Sequence, residues 1–303
     1  MTASRSLAAL ARRLARRFAC LAVLPAALAA QGSTAPRTID RSLPLKADGI
    51  VKIFNSVGAV HVVGWARDSV AVHGTLATSR QFFMGGSANG IKLGLEGDGG
   101  ATGADLVVSV PAGARVWIRT STADVEVRGV TGALDVGTVE GRVQVQAQPE
   151  ELTVESMAGD IDVMSSPRYL RIKSASGRVH WSGSSEDAAV STVGGPITVR
   201  AGVVTRARFE SVSGAVRYTG GIVRGGSLVL DSHGGDVSAV LSRHAVAELE
   251  VDAPESDVLG LRADRPAGEA RPAPVFKTIG GEGFPSARVT LRSFKGRATI
   301  TQP

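Results

Sequence analysis

The sequence predicts an all-β, single-domain β-solenoid of about 18-residue coils, with an N-terminal strand region and a capping loop. Three observations carry that prediction. A short sentence, apolar-x-apolar-x-Ser/Thr-x-x-Gly-x-apolar-x-apolar, recurs along the chain from Arg119 onward. Its register is nearly constant. Glycine is abundant at 37 residues, against 8 Phe, 3 Trp and 2 Tyr, a balance that suits many tight turns and thin aliphatic packing.

The first 30 residues read as an export signal. Arg5, Arg12, Arg13, Arg16 and Arg17 make a positive start without an acid, and Phe18–Ala30 follows as an apolar run. That run falls short of the 20 or so apolar residues a membrane span needs. Cleavage is therefore expected, leaving no integral span, with 31–40 as a short linker and 41–302 as the strand-repeat domain. The segment takes five of the 34 Lys and Arg and none of the 28 Asp and Glu. The basic balance of the whole chain thus belongs to its leader, and the nearly neutral remainder gives no reason to expect a nucleic-acid partner. Cys20, the one cysteine, lies inside the same segment. A mature chain without it has no disulfide, thiolate metal site or thiol nucleophile.

Between the linker and the repeats, Asn55-Ser56-Val57-Gly58 reads as a first copy, and Ser69–His73 and Leu106–Val110 as strands of an N-terminal sheet. The repeats are anchored by Thr120, Thr138, Ser156, Ser174, Thr192, Ser211 and Ser232, at separations of 18, 18, 18, 18, 19 and 21 residues. Three residues after each come Ala123, Gly141, Gly159, Gly177, Gly195, Gly214 and Gly235. Later copies are expected at Thr278–Gly281 and Ser293–Gly296. Alternation such as Leu152-Thr153-Val154 and Ile161-Asp162-Val163 buries every second side chain. The glycine offers positive φ or a tight backbone at the reversal, and the hydroxyl can bond the turn amides. One copy cannot bury its own apolar face, whereas stacked copies share a column. At about 4.8 Å per layer, seven or eight coils make a rod about 35–40 Å long. A meander of antiparallel hairpins is the rival reading.

Two excursions interrupt the pattern. Residues 78–104 are Gly-rich and include Phe82-Phe83-Met84, either an exposed apolar docking loop or a cap over one end of the stack. Residues 241–275 hold a possible strand at Leu249-Glu250-Val251, then Pro254, Pro266, Pro272 and Pro274, a binding loop or a solvated connection.

No reactive constellation stands out. The position after the repeat glycine runs Asp124, Arg142, Asp160, Arg178 and so alternates in sign, which reads first as a ladder of cross-strand ion pairs. The five His show no metal-ligand spacing, and no Ser sits in a Gly-x-Ser-x-Gly elbow. Trp181 stands at an inward position and is expected in the core. The residues singled out for surface interaction are Phe82, Phe83, Asp124, Arg142, Asp160 and Arg178. No catalytic residue, metal or cofactor is expected.

The elements Val62-Val63-Gly64-Trp65-Ala66-Arg67-Asp68-Ser69-Val70 and Val108-Ser109-Val110-Pro111-Ala112-Gly113, followed by the repeats, resemble a bacterial domain-of-unknown-function family of exported β-strand-repeat proteins labelled candidate adhesins. The resemblance spans roughly residues 40–302 and implies a β-solenoid in the cell envelope: periplasmic, outer-membrane-associated or extracellular. It implies no catalytic motif. The expected function is a non-enzymatic surface that binds an envelope protein or polysaccharide. The alternatives are a scaffold or sensor in envelope-stress signalling and, behind it, a polysaccharide lyase or hydrolase using Asp124–Arg178.

Overall fold

The computed structural model describes residues 37–76, 81–96, 103–264, 273–280 and 286–303. The export segment and residues 31–36 of the linker lie outside the described residues. Those described fall in one compact unit, Ala35–Pro303, and contain strands and turns but no helix. No helix among them is long and apolar enough to cross a membrane.

The N-terminal strands are β1 (Arg37–Pro44), β2 (Ile50–Asn55), β3 (Gly58–Trp65), β4 (Ser69–Leu76), β5 (Gln81–Ser87), β6 (Gly90–Glu96) and β7 (Ala104–Pro111). The repeats follow as β8 (Arg115–Thr120), β9 (Asp124–Arg128), β10 (Leu134–Thr138), β11 (Val143–Gln146), β12 (Glu151–Ser156), β13 (Ile161–Met164) and β14 (Tyr169–Ser174). Three long strands, β15 (Val179–Thr192), β16 (Ile197–Ser211) and β17 (Val216–Ser232), come next. The chain ends with β18 (Val237–Leu241), β19 (Ala247–Asp252), β20 (Glu255–Val258), β21 (Leu261–Asp264), β22 (Val275–Ile279), β23 (Ala287–Ser293) and β24 (Arg297–Thr301).

Through the repeats the pairing is parallel, and residues one repeat apart are partners. Leu134 pairs with Leu152, Leu152 with Leu170, and Leu170 with Ala188. On the other side of the Gly turn, Val143 pairs with Ile161 and Ile161 with Val179. Each copy therefore gives one strand to each of two ladders, and antiparallel hairpins do not describe this region. The inward residues make continuous buried columns such as Val136, Val154, Ile172, Val190 and Phe209. Each such side chain contributes about 1.5–3 kcal/mol by leaving water. Trp181 is fully buried, and Phe209 links it to Tyr218 through ring contacts of 6.1 and 5.9 Å. The copies of 19 and 21 residues keep this register because their extra residues sit at the outer corner, where β15–β17 shift pairing near Gly183, between Arg200 and Val203, and between Val204 and Arg206.

Gly58 of the first copy turns at φ 103°, but the repeat glycines from Gly141 to Gly235 take no positive φ. Their role is close approach. A Cβ on Gly159 would lie 2.0 Å from the carbonyl oxygen of Gly141, and one on Gly195 would lie 2.0 Å from that of Gly177. The buried hydroxyls close the same turn. Thr138, Ser211 and Ser232 accept from the amides of Gly141, Gly214 and Gly235, while Ser156, Ser174 and Thr192 donate to the carbonyls of Gly159, Gly177 and Gly195.

The described parts of both excursions build the ends of the ladders; residues 78–80, 97–102 and 265–272, with Pro266 and Pro272, lie outside the described residues. β6 adds to β2 in parallel, and β5 closes that ladder by pairing antiparallel with β6. On the second ladder β7 pairs with β3, and β4 and β1 follow antiparallel. At the far end β22 closes on β19 and β21 on β20, again antiparallel. Thr278–Gly280, the described part of the expected copy at Thr278–Gly281, does not pair as a repeat: Ile279 opposes Ala247 in an antiparallel pair, and Gly280 turns the chain at φ 82°.

The layers do not follow sequence order at this end. β23 pairs with β17 on one side and β19 on the other, and β24 lies between β18 and β20 in the same way. The last copy, Ser293–Gly296, is inserted beneath a layer that precedes it in the chain.

Candidate interaction surfaces

The alternating Asp and Arg residues stand at the start of the second ladder, one residue after the repeat glycine. There the carboxylates hold backbone. Asp124 Oδ1 accepts from the amide of Arg142 at 2.9 Å, and Asp160 Oδ1 from that of Arg178 at 2.9 Å. Asp236 does the same for Arg297. The second pair adds a side-chain contact, Arg178 Nη2 to Asp160 Oδ2 at 2.8 Å. An amide that opens a parallel ladder needs an acceptor from the layer below, and a short carboxylate one layer away supplies it.

Phe82 and Phe83 lie on β5. Phe82, with Met84, packs against the main core, and Phe83 is half-buried with Lys92 Nζ 5.4 Å from its ring centre. The structure does not bring these two residues together with the Asp/Arg row on any common site.

Two other features emerge. The first surrounds Trp117, an outward residue of β8 that is 39% exposed. Its indole N–H donates to Asp135 Oδ2 one layer on. Arg119 Cζ stands 4.2 Å and Lys52 Nζ 5.3 Å from the ring centre, within cation–π range. Arg119 reaches that position by crossing Gly137, where a Cβ would come within 2.9 Å of its Cδ. It also pairs with Asp135 at 2.9 Å. A groove of about 300 Å³ opens here, lined by Ile50, Lys52, Trp117, Asp135, Glu151 and Thr153. From this outward face an ion-pair lattice continues through Lys173–Glu155, Arg171–Asp187 and Arg208–Glu210.

The second feature is a row one residue after each hydroxyl: Val139, Met157, Val193, Val212 and Phe294 are 45–59% exposed at the turn edge. Ala175 continues it between Met157 and Val193, and His233 stacks on Phe294 at 4.7 Å. Beside the row runs a groove of about 620 Å³, floored by Thr138, Ser156, Ser174 and Thr192. The signal was present in the repeat, since an apolar residue recurs at a turn position where a polar one would be ordinary. Trp117 carried no such periodic mark.

Elsewhere, Glu126 accepts from the ring of His61 at 2.8 Å and pairs with Arg128; the His61 bond foremost holds its carboxyl below the usual carboxylate range. Burial pushes the Tyr218 phenol far up, and its hydroxyl donates to the carbonyl of Gly221 at 2.6 Å. Among the described residues no group of three or more His, Cys, Asp or Glu is placed to hold a metal ion.

No family model matches the chain, and no curated protein does. The resemblance drawn from its motifs rests on those motifs. Among solved structures the chain is similar to a candidate adhesin from Bacteroides fragilis NCTC 9343, at 10% identity and a TM-score of 0.36, covering 88% of this chain and 99% of that one. It is also similar to a candidate cell adhesion protein from Clostridium sporogenes ATCC 15579, at 8% identity and a TM-score of 0.20, covering 88% and 100%.

Proposed function

We propose that the chain is an exported β-solenoid that works by presenting its outer face to a polysaccharide or protein of the cell envelope, without chemistry of its own. The observation that carries this reading is the groove around Trp117. A part-exposed indole is held in place by Asp135 and flanked by Lys52, Arg119 and Glu151 on a rigid sheet. Such a site offers an apolar ring face with charged hydrogen-bonding groups at its rim, the mixture that polar ligands with apolar faces require. The use of Asp124 and Asp160 as amide acceptors supports a non-catalytic role for that row.

The reading predicts saturable binding of the purified protein to an envelope polysaccharide or surface protein. Trp117→Ala should raise the dissociation constant at least tenfold while the far-UV circular dichroism stays unchanged. Full retention of binding by Trp117→Ala, or no binding across a panel of envelope fractions, overturns it. Fractionation of cells expressing the full chain tests export separately: the protein should be found in the periplasm, outer membrane or medium with residues 1–30 removed.

A further inference from the structure

The apolar turn row lies beside a row of charges that meets the Trp117 site at Arg119. Moving up the layers, the apolar row reads Val139, Met157, Ala175, Val193 and Val212. The neighbouring row reads Arg119, Gly137, Glu155, Lys173, Ser191 and Glu210 in successive layers. We infer that this edge is the contact surface for a second copy of the same chain, in an antiparallel two-fold dimer whose axis passes between the layers of Met157 and Ala175.

Register sets the arrangement. A two-fold axis lying in the interface and crossing the stack sets each row against itself with the layer order reversed. With the axis between Met157 and Ala175, the protruding Met157, 59% exposed, faces the small Ala175 of the other copy, and Val139 faces Val193. At the same register Glu155 faces Lys173, and Arg119 faces Glu210. Both rows are then complementary at once. Within one chain Lys173 Nζ already stands 3.4 Å from Glu155 Oε1, so the two pairs meet as a square of alternating charge.

The neighbouring registers fail on charge. Moving the axis one layer toward Val139 sets Arg119 against Lys173, and one layer the other way sets Glu155 against Glu210. An axis through the Met157 layer opposes Glu155 to itself, and one through the Ala175 layer opposes Lys173 to itself. Like charges in contact disfavour these four registers. The row runs on to Asp231 and Arg292, so a register centred between Val193 and Val212 would pair Lys173 with Asp231 and Glu155 with Arg292; a Val139–Val193 cross-link separates the proposed register from that one. The strip covers six layers, about 24 Å from first to last at 4.8 Å each. It is narrow, which places the dimer among weak, concentration-dependent associations.

Sedimentation of the full-length protein over a wide concentration range tests the proposal. The expected result is a reversible monomer–dimer equilibrium. Lys173→Glu should raise the dissociation constant at least tenfold, and Glu155→Lys in the same chain should restore it. In a Cys20→Ala background, the pair Val139→Cys and Val193→Cys should form a disulfide between two chains. Within one chain these positions are three layers, about 14 Å, apart, too far for a disulfide. A monomer at every concentration, a dimer indifferent to Lys173→Glu, or a dimer that the two cysteines do not cross-link overturns the proposal. Trp117→Ala leaves the central Glu155–Lys173 and Met157–Ala175 contacts in place, so the dimer should persist when the Trp117 groove is lost, and the failure of either reading is visible independently of the other.

Discussion

The missing side chain of Gly177 is occupied by Gly159: a Cβ on Gly177 would lie 2.1 Å from the carbonyl oxygen of Gly159 one layer below. The obstacle is backbone, so no rotamer change relieves it. Gly177→Ala must push two layers apart in the middle of a continuous ladder, at a cost of about 3 kcal/mol. Gly194→Ala in the next turn is the control, because its nearest neighbour is the Ala175 oxygen at 3.8 Å. That change should stay within about 0.5 kcal/mol of the parent. Chemical denaturation of both variants measures the difference.

Tyr218 ties alkaline stability to a single buried phenol. Its ionisation lies far above the ordinary value because burial penalises the anion. A pKa raised on folding means that the native state holds its proton more tightly than the unfolded chain. The stability this confers is complete below about pH 10, where a free tyrosine ionises, and is lost as pH rises beyond that. Tyr218→Phe removes the effect. The variant should be about 1 kcal/mol less stable at pH 7, where the bond to Gly221 is lost. The gap between it and the parent should narrow above pH 10. A gap that stays constant with pH contradicts this account.

The scaffold was largely legible in the sequence, and the order of its layers was not. Alternation at Leu152–Val154 and Ile161–Val163 follows from burial on one face, and the spacing of Ser156 and Ser174 marks partners directly, so periodicity alone gives the parallel register. Ser293 carries the same mark but sits 61 residues after Ser232, its pairing partner. Nothing in residues 247–258 announces that a later segment will come beneath them. The Asp and Arg row was visible, but an acceptor for a backbone amide and half of an ion pair look alike in sequence. The Trp117 groove was hidden because Ile50 and Lys52 approach residues 117–153 only after stacking. The apolar edge could have been found, by asking why Met157 and Val193 occupy turn positions.

Asp160 separates the two meanings of its row. If its main task is to accept from the amide of Arg178, Asp160→Asn keeps an acceptor oxygen and loses only an exposed ion pair, whose contribution is small and screened. Asp160→Ala removes both and should cost about 1 kcal/mol, with Asp160→Asn recovering most of that. The difference between the two variants should persist in high salt. A loss that salt abolishes would mean that the ion pair dominates.

The inserted C-terminal layer makes the far end of the stack conditional on the last residues of the chain. Leu291 is fully buried between Leu230 and Val251, which belong to the layers on either side. Leu291→Ala should cost about 3 kcal/mol, the usual range for a cavity in an aliphatic core. Its effect should also be spatially uneven. Amides of 247–258 reach the repeats only through β23 and β24, so they should lose hydrogen-exchange protection before those of Val136, Val154 and Ile172. Deleting 286–303 carries the same logic to its limit: residues 247–258 should become exchangeable and open to proteolysis while the repeats before them stay folded. Protection of 247–258 in the truncated chain would mean that this layer drops by one step onto β17 and β18, and that the last copy is an insert rather than a requirement.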